Sequence, residues 1–302
     1  MHRKHGVSVL LTPADRVRIA AGTDASFYHA DCRDVLRQLP SRSVDVIITS
    51  PPYNLGIRYN LYDDTMSRAE YLEWTNAWVS EAARVLRSDG SLFLNVGAKP
   101  TDPWTAFDVA QAVRPHLQLQ NIIHWIKSIY IDKAQLAVGH YKPINSDRFL
   151  NDCHEFIFHF SPSASTRMDR LALGVPYQDQ SNVGRWRAAA DGVRCRGNTW
   201  FIPYETIQRR DRDRPHPATF PSQLPEQCLR LHGLKKIEMA MDPFTGLGST
   251  AVACARLGIG FIGCEIDEVY LKEAVARTRE ATAARTVKVR SLKSEVRNRK
   301  TS

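Results

Sequence analysis

The stretch VDVIITSPPYNLG, residues 44–56, combines the pattern of a buried strand with the first candidate site. Its first half is rich in Val and Ile and predicts a buried strand. That strand ends at once in a polar, aromatic corner made of Ser50, Pro51, Pro52 and Tyr53. Because prolines fix φ and remove amide donors, the corner has a preorganised shape. Ligands bind at the carboxyl ends of strands in open α/β sheets, so this corner is a candidate site.

Short apolar runs alternate with amphipathic segments along the chain, which is typical of a doubly wound, mostly parallel α/β sheet. Seven strands are predicted, at 26–30, 44–49, 91–97, 119–126, 154–161, 237–241 and 260–265. The clearest helix begins at Ser67, where Glu70 completes a capping box, and we expect it to end near Gly90. A second helix is predicted between Gly248 and Gly258. The segment 129–150 is expected to be a long loop.

The 302-residue chain has 41 Lys and Arg against 32 Asp and Glu, a formal net charge of +9. Basic residues cluster at 208–216 and beyond Arg277. These clusters are interpreted either as solvated surface or as a contact for a polyanion such as nucleic acid. None of the six cysteines forms a C-x-x-C pair, so we expect neither a zinc site nor a disulfide framework. No apolar run reaches the ~18 residues of a membrane span. We therefore expect a soluble cytoplasmic protein.

A second strand end carries the stretch MAMDPFTGLGSTAVACARLG, residues 239–258. The strand is predicted to end at Asp242, and Gly246 and Gly248 then form a tight turn that lets the backbone approach a ligand closely. The next strand ends at Glu265, whose carboxylate suits two ribose hydroxyls. The pattern G-x-G-x-x-A also fits a dinucleotide fingerprint, which leaves a nicotinamide dehydrogenase open.

The corner suits a planar group that carries an amine. The Ser50 hydroxyl and the Pro51 carbonyl can accept the amine hydrogens, and the Tyr53 ring offers a face for stacking. A proline-rich loop that simply leaves a strand is the alternative for this motif taken alone.

Together these motifs resemble those of the β-class amino-methyltransferases of DNA. Ser50, Pro51, Pro52 and Tyr53 match the (D/N/S)-P-P-(Y/F) catalytic motif of that family, and Phe244, Gly246 and Gly248 match its F-x-G-x-G cofactor motif. The catalytic motif precedes the cofactor motif, which is the order that defines the β class.

Two further stretches fit the same family, HPATFPSQLPEQ at 216–227 and NDCHEFIFHFS at 151–161. The resemblance covers roughly residues 24–280. It implies a seven-stranded, circularly permuted, Rossmann-like sheet that uses S-adenosylmethionine as cofactor, with an inserted target-recognition region. The expected divisions are an extension (1–23), a catalytic half (24–162), the insertion (163–215), a cofactor-binding half (216–280) and a basic tail (281–302).

The resemblance also implies a role for each site residue. Asp31 would bind the adenine ring of the cofactor and Glu265 its ribose. Asp242, Phe244, Gly246 and Gly248 would surround its methionine part, and His216 to Phe220 would close the other side. Ser50, Pro51, Pro52 and Tyr53 would be catalytic, and no metal is expected. The implied partner is double-stranded DNA, the implied assembly a homodimer, and the implied location a prokaryotic cytoplasm beside the nucleoid.

The target base stays open between cytosine and adenine, because both present an amine beside a ring nitrogen. The S-P-P-Y form of the motif, and Phe220 where the adenine enzymes usually have lysine, favour the N4 amine of cytosine. An RNA or protein amine methyltransferase shares the P-P-Y motif, but the motif order and the basic insertion at 163–215 favour DNA. A DNA-binding module without catalysis is the remaining alternative.

Overall fold

The computed structural model describes residues 10–57, 59–62, 64–139, 144–179, 192–203 and 219–300. The strands are β1 (Asp15–Ala20), β2 (Thr23–His29), β3 (Val44–Thr49), β4 (Leu86–Val96), β5 (Gln118–Ile126), β6 (Ser128–Ile131), β7 (Leu136–Gly139), β8 (His154–Ser161), β9 (Val175–Pro176), β10 (Val193–Arg194), β11 (Thr199–Phe201), β12 (Met239–Asp242) and β13 (Gly260–Glu265). The helices are α1 (Cys32–Gln38), α2 (Arg68–Val85), α3 (Thr105–Val113), α4 (Gln223–His232), α5 (Ser249–Leu257) and α6 (Glu268–Lys300).

One large sheet of nine strands forms the centre of the fold, in the order β1-β2-β13-β12-β3-β4-β8-β5-β11. All seven predicted strands are present and form its continuous middle, from β2 to β5. The five strands from β2 to β4 run parallel, and β8 lies antiparallel between β4 and β5. The two additional strands lie at the edges, where β1 is antiparallel to β2 and the three-residue β11 is parallel to β5.

Strands β3 and β12 are distant in the chain and adjacent in the sheet. Ala240 pairs with Val46 and Met241 with Ile47, in parallel register. Every residue of β3 is buried, as its apolar composition predicts. Because the two strands are parallel neighbours, the corner after β3 and the glycine turn after β12 emerge side by side at the middle of the sheet edge.

The helix ends show where local signals decide the structure and where they do not. The capping box of α2 is confirmed, since Ser67 and Glu70 each bond the other's backbone. The expected end near Gly90 is wrong: α2 ends at Val85 and the chain enters β4 directly. Pairing with β3 extends this strand back to Leu86, so Gly90 lies inside β4.

Gly248 and Gly258 flank α5 as predicted, and both have left-handed φ angles, 77° and 79°. A Cβ atom on Gly248 would lie 2.8 Å from the Cβ of Ala274 in α6. The glycine therefore allows α5 and α6 to pack closely.

Three segments differ from their expected form. The segment predicted as a loop at 129–150 contains most of the β6–β7 hairpin. Within 163–215, the described residues form the short β9–β10 pair and β11, which joins the main sheet through the buried Trp200. The basic stretch beyond 281 continues α6 to Lys300, because its Ala, Arg, Lys and Glu residues favour helix. Within the described ranges, no helix has the length and apolar composition needed to cross a membrane.

A buried chain of hydrogen bonds joins β4, β8 and α4. The Ser91 hydroxyl lies 2.9 Å from Nδ1 of His232 and 2.9 Å from Nε2 of His159. Asn121 bonds the other nitrogen of His159 at 3.0 Å. Burial lowers the pKa of His159 to about 3 and that of His232 to about 4. Both rings are therefore neutral in the folded protein at neutral pH.

His232→Asn tests this chain, since asparagine keeps a polar group near the Nδ1 position but cannot take up a proton. The folded-state pKa of His232 lies below its ordinary 6.5. The contribution of the neutral His232 ring to stability is therefore complete above pH 6.5 and is lost as the pH falls below it. In denaturant titrations, the wild type should exceed the variant in free energy of unfolding, and this advantage should shrink by about 2 kcal/mol from about pH 7.5 to about pH 5. An advantage that does not change with pH would contradict the neutral, buried ring.

Candidate active site

A cavity of about 340 Å³ opens at the sheet edge where β3 and β12 end. Its walls include residues from both predicted strand ends and from the segments around them. The predicted site residues that line it are Asp31, Ser50, Pro51, Pro52, Tyr53, Phe220, Phe244, Gly246 and Glu265. The corner after β3 and the glycine turn after β12, which are distant in the chain, therefore share one cavity.

Glu265 ends β13 and holds the glycine turn in place. Its carboxylate accepts the backbone N–H of Gly246 at 2.8 Å and that of Asp267 at 3.0 Å. Burial raises the pKa of Glu265, and these N–H bonds only partly oppose the rise. Gly246 has a φ of 50°, a conformation that favours glycine. The turn therefore presents backbone and a carboxylate to the cavity without an intervening side chain at Gly246.

Asp242 and Gly248, which were predicted to surround the methionine part of the cofactor, are both buried and are not among the residues that line the cavity. Asp242 is buried, and its oxygens accept the hydroxyls of Thr49 at 2.6 Å and Thr250 at 2.8 Å. The backbone N–H of Phe244 donates to it at 3.0 Å. Burial raises its pKa to about 6. Asp242 thus supports the turn from inside the sheet, while Gly248 serves the packing of α5 on α6.

Asp31 follows β2 and caps α1. Its carboxylate accepts the backbone N–H of Arg33 at 2.8 Å and pairs with the Arg33 guanidinium at 2.7 Å. Burial alone would raise the pKa of Asp31, but Arg33 holds it below the ordinary value. Asp31 therefore faces the cavity as an anion. His216, which was predicted to close the other side of the cofactor pocket, lies outside the described residues.

Aromatic side chains hold the two loops in shape. The buried Tyr71 donates its hydroxyl to the Pro52 carbonyl at 2.7 Å, which fixes the corner on α2. Phe244 packs against Trp74 and Trp78, with ring centroids 5.4 Å and 5.2 Å away. Both Phe244 and Trp74 line the cavity.

The loop after the corner wraps around Asp64. This nearly buried carboxylate accepts the backbone N–H groups of Asn54 and Leu55 at 2.9 Å and of Ile57 at 3.0 Å. Burial raises its pKa, against the effect of the three bonds. Leu55 and Ile57 line the cavity. Asp64 therefore gives this wall of the cavity a fixed shape.

A polar network on the other side of the corner was not foreseen from the sequence. Ser50 Oγ lies 2.5 Å from the Tyr53 hydroxyl, which donates to Glu155 at 3.1 Å. Lys127 and Asn95 also bond Glu155, at 2.6 Å and 2.8 Å. The available signal was a carboxylate in the apolar run HEFIFHFS, but only strand pairing shows which groups it meets.

Known proteins resemble this chain in sequence and in fold. Residues 44–276 match the N6 and N4 methyltransferase family, which is described as DNA methylase. The Type II methyltransferase M.HpaI of Haemophilus parainfluenzae is 28% identical over 242 residues, which is 80% of this chain and 70% of that protein.

Two solved structures share the fold. The PvuII DNA methyltransferase (cytosine-N4-specific) is 17% identical, with a TM-score of 0.59 over 84% of this chain and 86% of its own. A putative DNA modification methylase from Thermus thermophilus, TTHA0409, complexed with S-adenosylmethionine, is 23% identical, with a TM-score of 0.57 over 85% of this chain and 94% of its own.

The family match spans most of the chain, and the corner from Ser50 to Tyr53 precedes the glycine turn in the order expected of the β class. The sheet, with β8 antiparallel beside β4, is the methyltransferase sheet that the resemblance implied. The chain therefore belongs to the DNA methylase family of N6 and N4 amino-methyltransferases, as a β-class member that uses S-adenosylmethionine.

Proposed function

We propose that this protein transfers the methyl group of S-adenosylmethionine to the N4 amine of a cytosine in double-stranded DNA. The observation that carries this proposal is the shared cavity, in which an acceptor-rich aromatic corner faces a glycine turn and a strand-end carboxylate. The first half suits an amine on a planar ring, and the second suits a nucleoside with a charged tail.

The glycine side fits the cofactor in its chemistry, because it offers backbone and carboxylates to a nucleoside with a charged tail. We assign the ribose hydroxyls to Glu265 and the adenine amine to Asp31, which lie at the ends of the paired strands β13 and β2. Gly246 and Phe244 line the part left for the methionine tail. Asp242 and Gly248 shape this pocket from behind, and Phe220 closes it.

On the corner side, the target base must leave the duplex, because its amine is otherwise out of reach of the cavity. Tyr53 offers the face on which the extruded ring stacks. Ser50 Oγ and the Pro51 carbonyl accept the amine hydrogens, which localises the nitrogen lone pair. When bound, the cofactor supplies an electrophilic sulfonium methyl group. The residues of the corner then act by orientation and electrostatics.

The choice of cytosine over adenine rests on Ser50 at the first position of the motif and on Phe220 near the pocket. Both are associations within the family that the chain resembles, and an adenine N6 amine fits the same pair of acceptors. Adenine is therefore the second candidate base.

For the DNA itself, we assign sequence reading to 163–215 and phosphate contact to the end of α6. The first arginines of the basic stretch bind the protein's own fold: Arg277 donates to Leu247, Arg279 pairs with Asp15, and Arg285 donates to Ile19. Phosphate contact is therefore assigned to the basic residues from 288 onward. The homodimer that the resemblance implies stays a prediction.

Product analysis tests the function. DNA exposed to the protein and S-adenosylmethionine is digested to nucleosides, which are separated by mass spectrometry. We expect N4-methylcytosine. N6-methyladenine would contradict the base assignment and leave the cofactor and the corner in place, whereas methylation at carbon 5 would contradict the corner, since that chemistry needs a covalent nucleophile.

Glu265→Gln tests the cofactor pocket. Glutamine keeps an oxygen for the Gly246 N–H but loses the negative charge. Charge-assisted bonds to the ribose should weaken, and calorimetry should show affinity for S-adenosylmethionine reduced about 10- to 100-fold. The matched control is Glu238→Gln, at a side chain that is 84% exposed and outside the cavity lining. Equal affinity in the Glu265 variant and its control would place the ribose elsewhere.

Truncation after Val287 tests the phosphate assignment, because it removes six Lys and Arg residues and one Glu. The slope of log K against log salt is negative, and each lost phosphate contact makes it shallower by about 0.9. DNA binding should weaken for all sequences and become less dependent on salt, and the methylated sequence should not change. An altered target sequence, or an unchanged salt slope, would contradict this assignment.

A further inference from the structure

The active-site corner continues into a line of hydrogen bonds that ends on a carboxylate. Ser50 Oγ lies 2.5 Å from the Tyr53 hydroxyl, and that hydroxyl lies 3.1 Å from Oε2 of Glu155. All three residues line the cavity. Glu155 is the second residue of β8, so the line connects the corner after β3 to a strand two places away in the sheet.

Glu155 is held as an anion by its neighbours. Lys127 Nζ lies 2.6 Å from Oε1, and the side chains of this ion pair are only 20% and 15% exposed. Asn95 donates to Oε2 at 2.8 Å. An ion pair shielded from water in this way keeps both partners charged, since a lone charge there would be costly. An ionised carboxylate only accepts hydrogen bonds.

The charge of Glu155 determines the direction of the whole line. Because Oε2 can only accept, Tyr53 must donate its proton to Glu155. The Tyr53 oxygen must then accept in its short bond with Ser50, so Ser50 donates its own proton to Tyr53. Ser50 is left with only lone pairs for the cavity. A neutral serine thereby becomes an acceptor-only group, as an ionised aspartate would be.

We propose that Glu155 is a positioning residue that, through Tyr53, orients the Ser50 hydroxyl as an acceptor for the target amine and receives the proton that the amine loses. The inference rests on the proposed function and extends it. The amine nitrogen would form its bond to the methyl carbon as the sulfur–methyl bond breaks, with that electron pair left on sulfur, and the nitrogen would then carry one surplus proton. That proton passes to Ser50 Oγ while the Ser50 proton passes to Tyr53 and the Tyr53 proton passes to Glu155. Both hydroxyls are restored, and neutral Glu155 later releases the proton to water.

The backbone beside this line packs against two of its members. A Cβ atom on Gly97 would lie 3.1 Å from the Tyr53 ring and 3.2 Å from the Glu155 side chain. A side chain at position 97 would therefore displace Tyr53 or Glu155, and glycine leaves room for both. Among the described residues, Lys127, Asp152 and His154 are charged or titratable groups that interact with Glu155.

The test uses the full-length protein and three variants, Glu155→Gln, Tyr53→Phe and the double variant. Tyr53→Phe keeps the stacking ring and the Glu155–Lys127 pair but cuts the line, so it remains informative if Glu155→Gln fails to fold. The matched control is Glu226→Gln, at a glutamate paired with Arg230 in α4, 26% exposed and outside the cavity lining. Single-turnover methyl transfer to DNA is measured at saturating cofactor, together with cofactor affinity by calorimetry.

We expect each single variant to lower the single-turnover rate at least about tenfold, with cofactor affinity unchanged. The double variant should be no slower than the slower single variant, because both changes break the same line. Glu226→Gln should behave as wild type.

A wild-type rate in Tyr53→Phe, or fully additive losses in the double variant, would each overturn the proposal while DNA methylation by the wild type stands. A wild-type protein that methylates no DNA would instead overturn the proposed function and this inference together. The two failures are therefore distinguished by the wild-type measurement alone.

Discussion

The buried carboxylate of Asp242 is the contact on which the site depends. It ends β12 and accepts the hydroxyl of Thr49, a residue 193 positions away that ends β3. It also accepts Thr250 of α5 and the backbone N–H of Phe244. Losing it would leave buried donors without partners, at about 1–3 kcal/mol each. Ser50 directly follows Thr49, so this one carboxylate couples the corner after β3 to the glycine turn.

Two further carboxylates extend the same principle along the sheet edge. Glu265 on β13 holds the backbone of the glycine turn, and Glu155 on β8 holds Tyr53 of the corner. Each is bonded to a loop that it positions, and each lines the cavity. A sheet edge with several carboxylates suits a cationic methyl donor. The same contacts thus shape the loops and set the electrostatics of the cavity.

The sequence predicted the elements that local patterns control. Apolar runs located the seven middle strands, the pair Ser67 and Glu70 located the start of α2, and flanking glycines located α5. The general rule for strand ends in α/β sheets correctly brought Ser50 and Gly246 to one edge.

The features that escaped prediction depend on contacts between distant segments. Strand β11 has three residues, and only pairing with β5 makes it a strand. Glycine is a common helix stop signal, but pairing with β3 places Gly90 in β4. The supporting role of Asp242 and the partners of Glu155 require the strand order and register, which no single stretch contains. The close approach of Gly248 to Ala274 of α6 likewise depends on helix packing.

We propose that the corner after β3 holds an extruded base with its amine toward the cofactor side of the cavity. A crystal structure of the protein with S-adenosylhomocysteine and a duplex containing its mapped target site tests this most directly. We expect the target base to lie outside the duplex, stacked on Tyr53, with its amine nitrogen about 3 Å from both Ser50 Oγ and the Pro51 carbonyl. A base bound in the cavity with its amine turned away from Ser50 would contradict it.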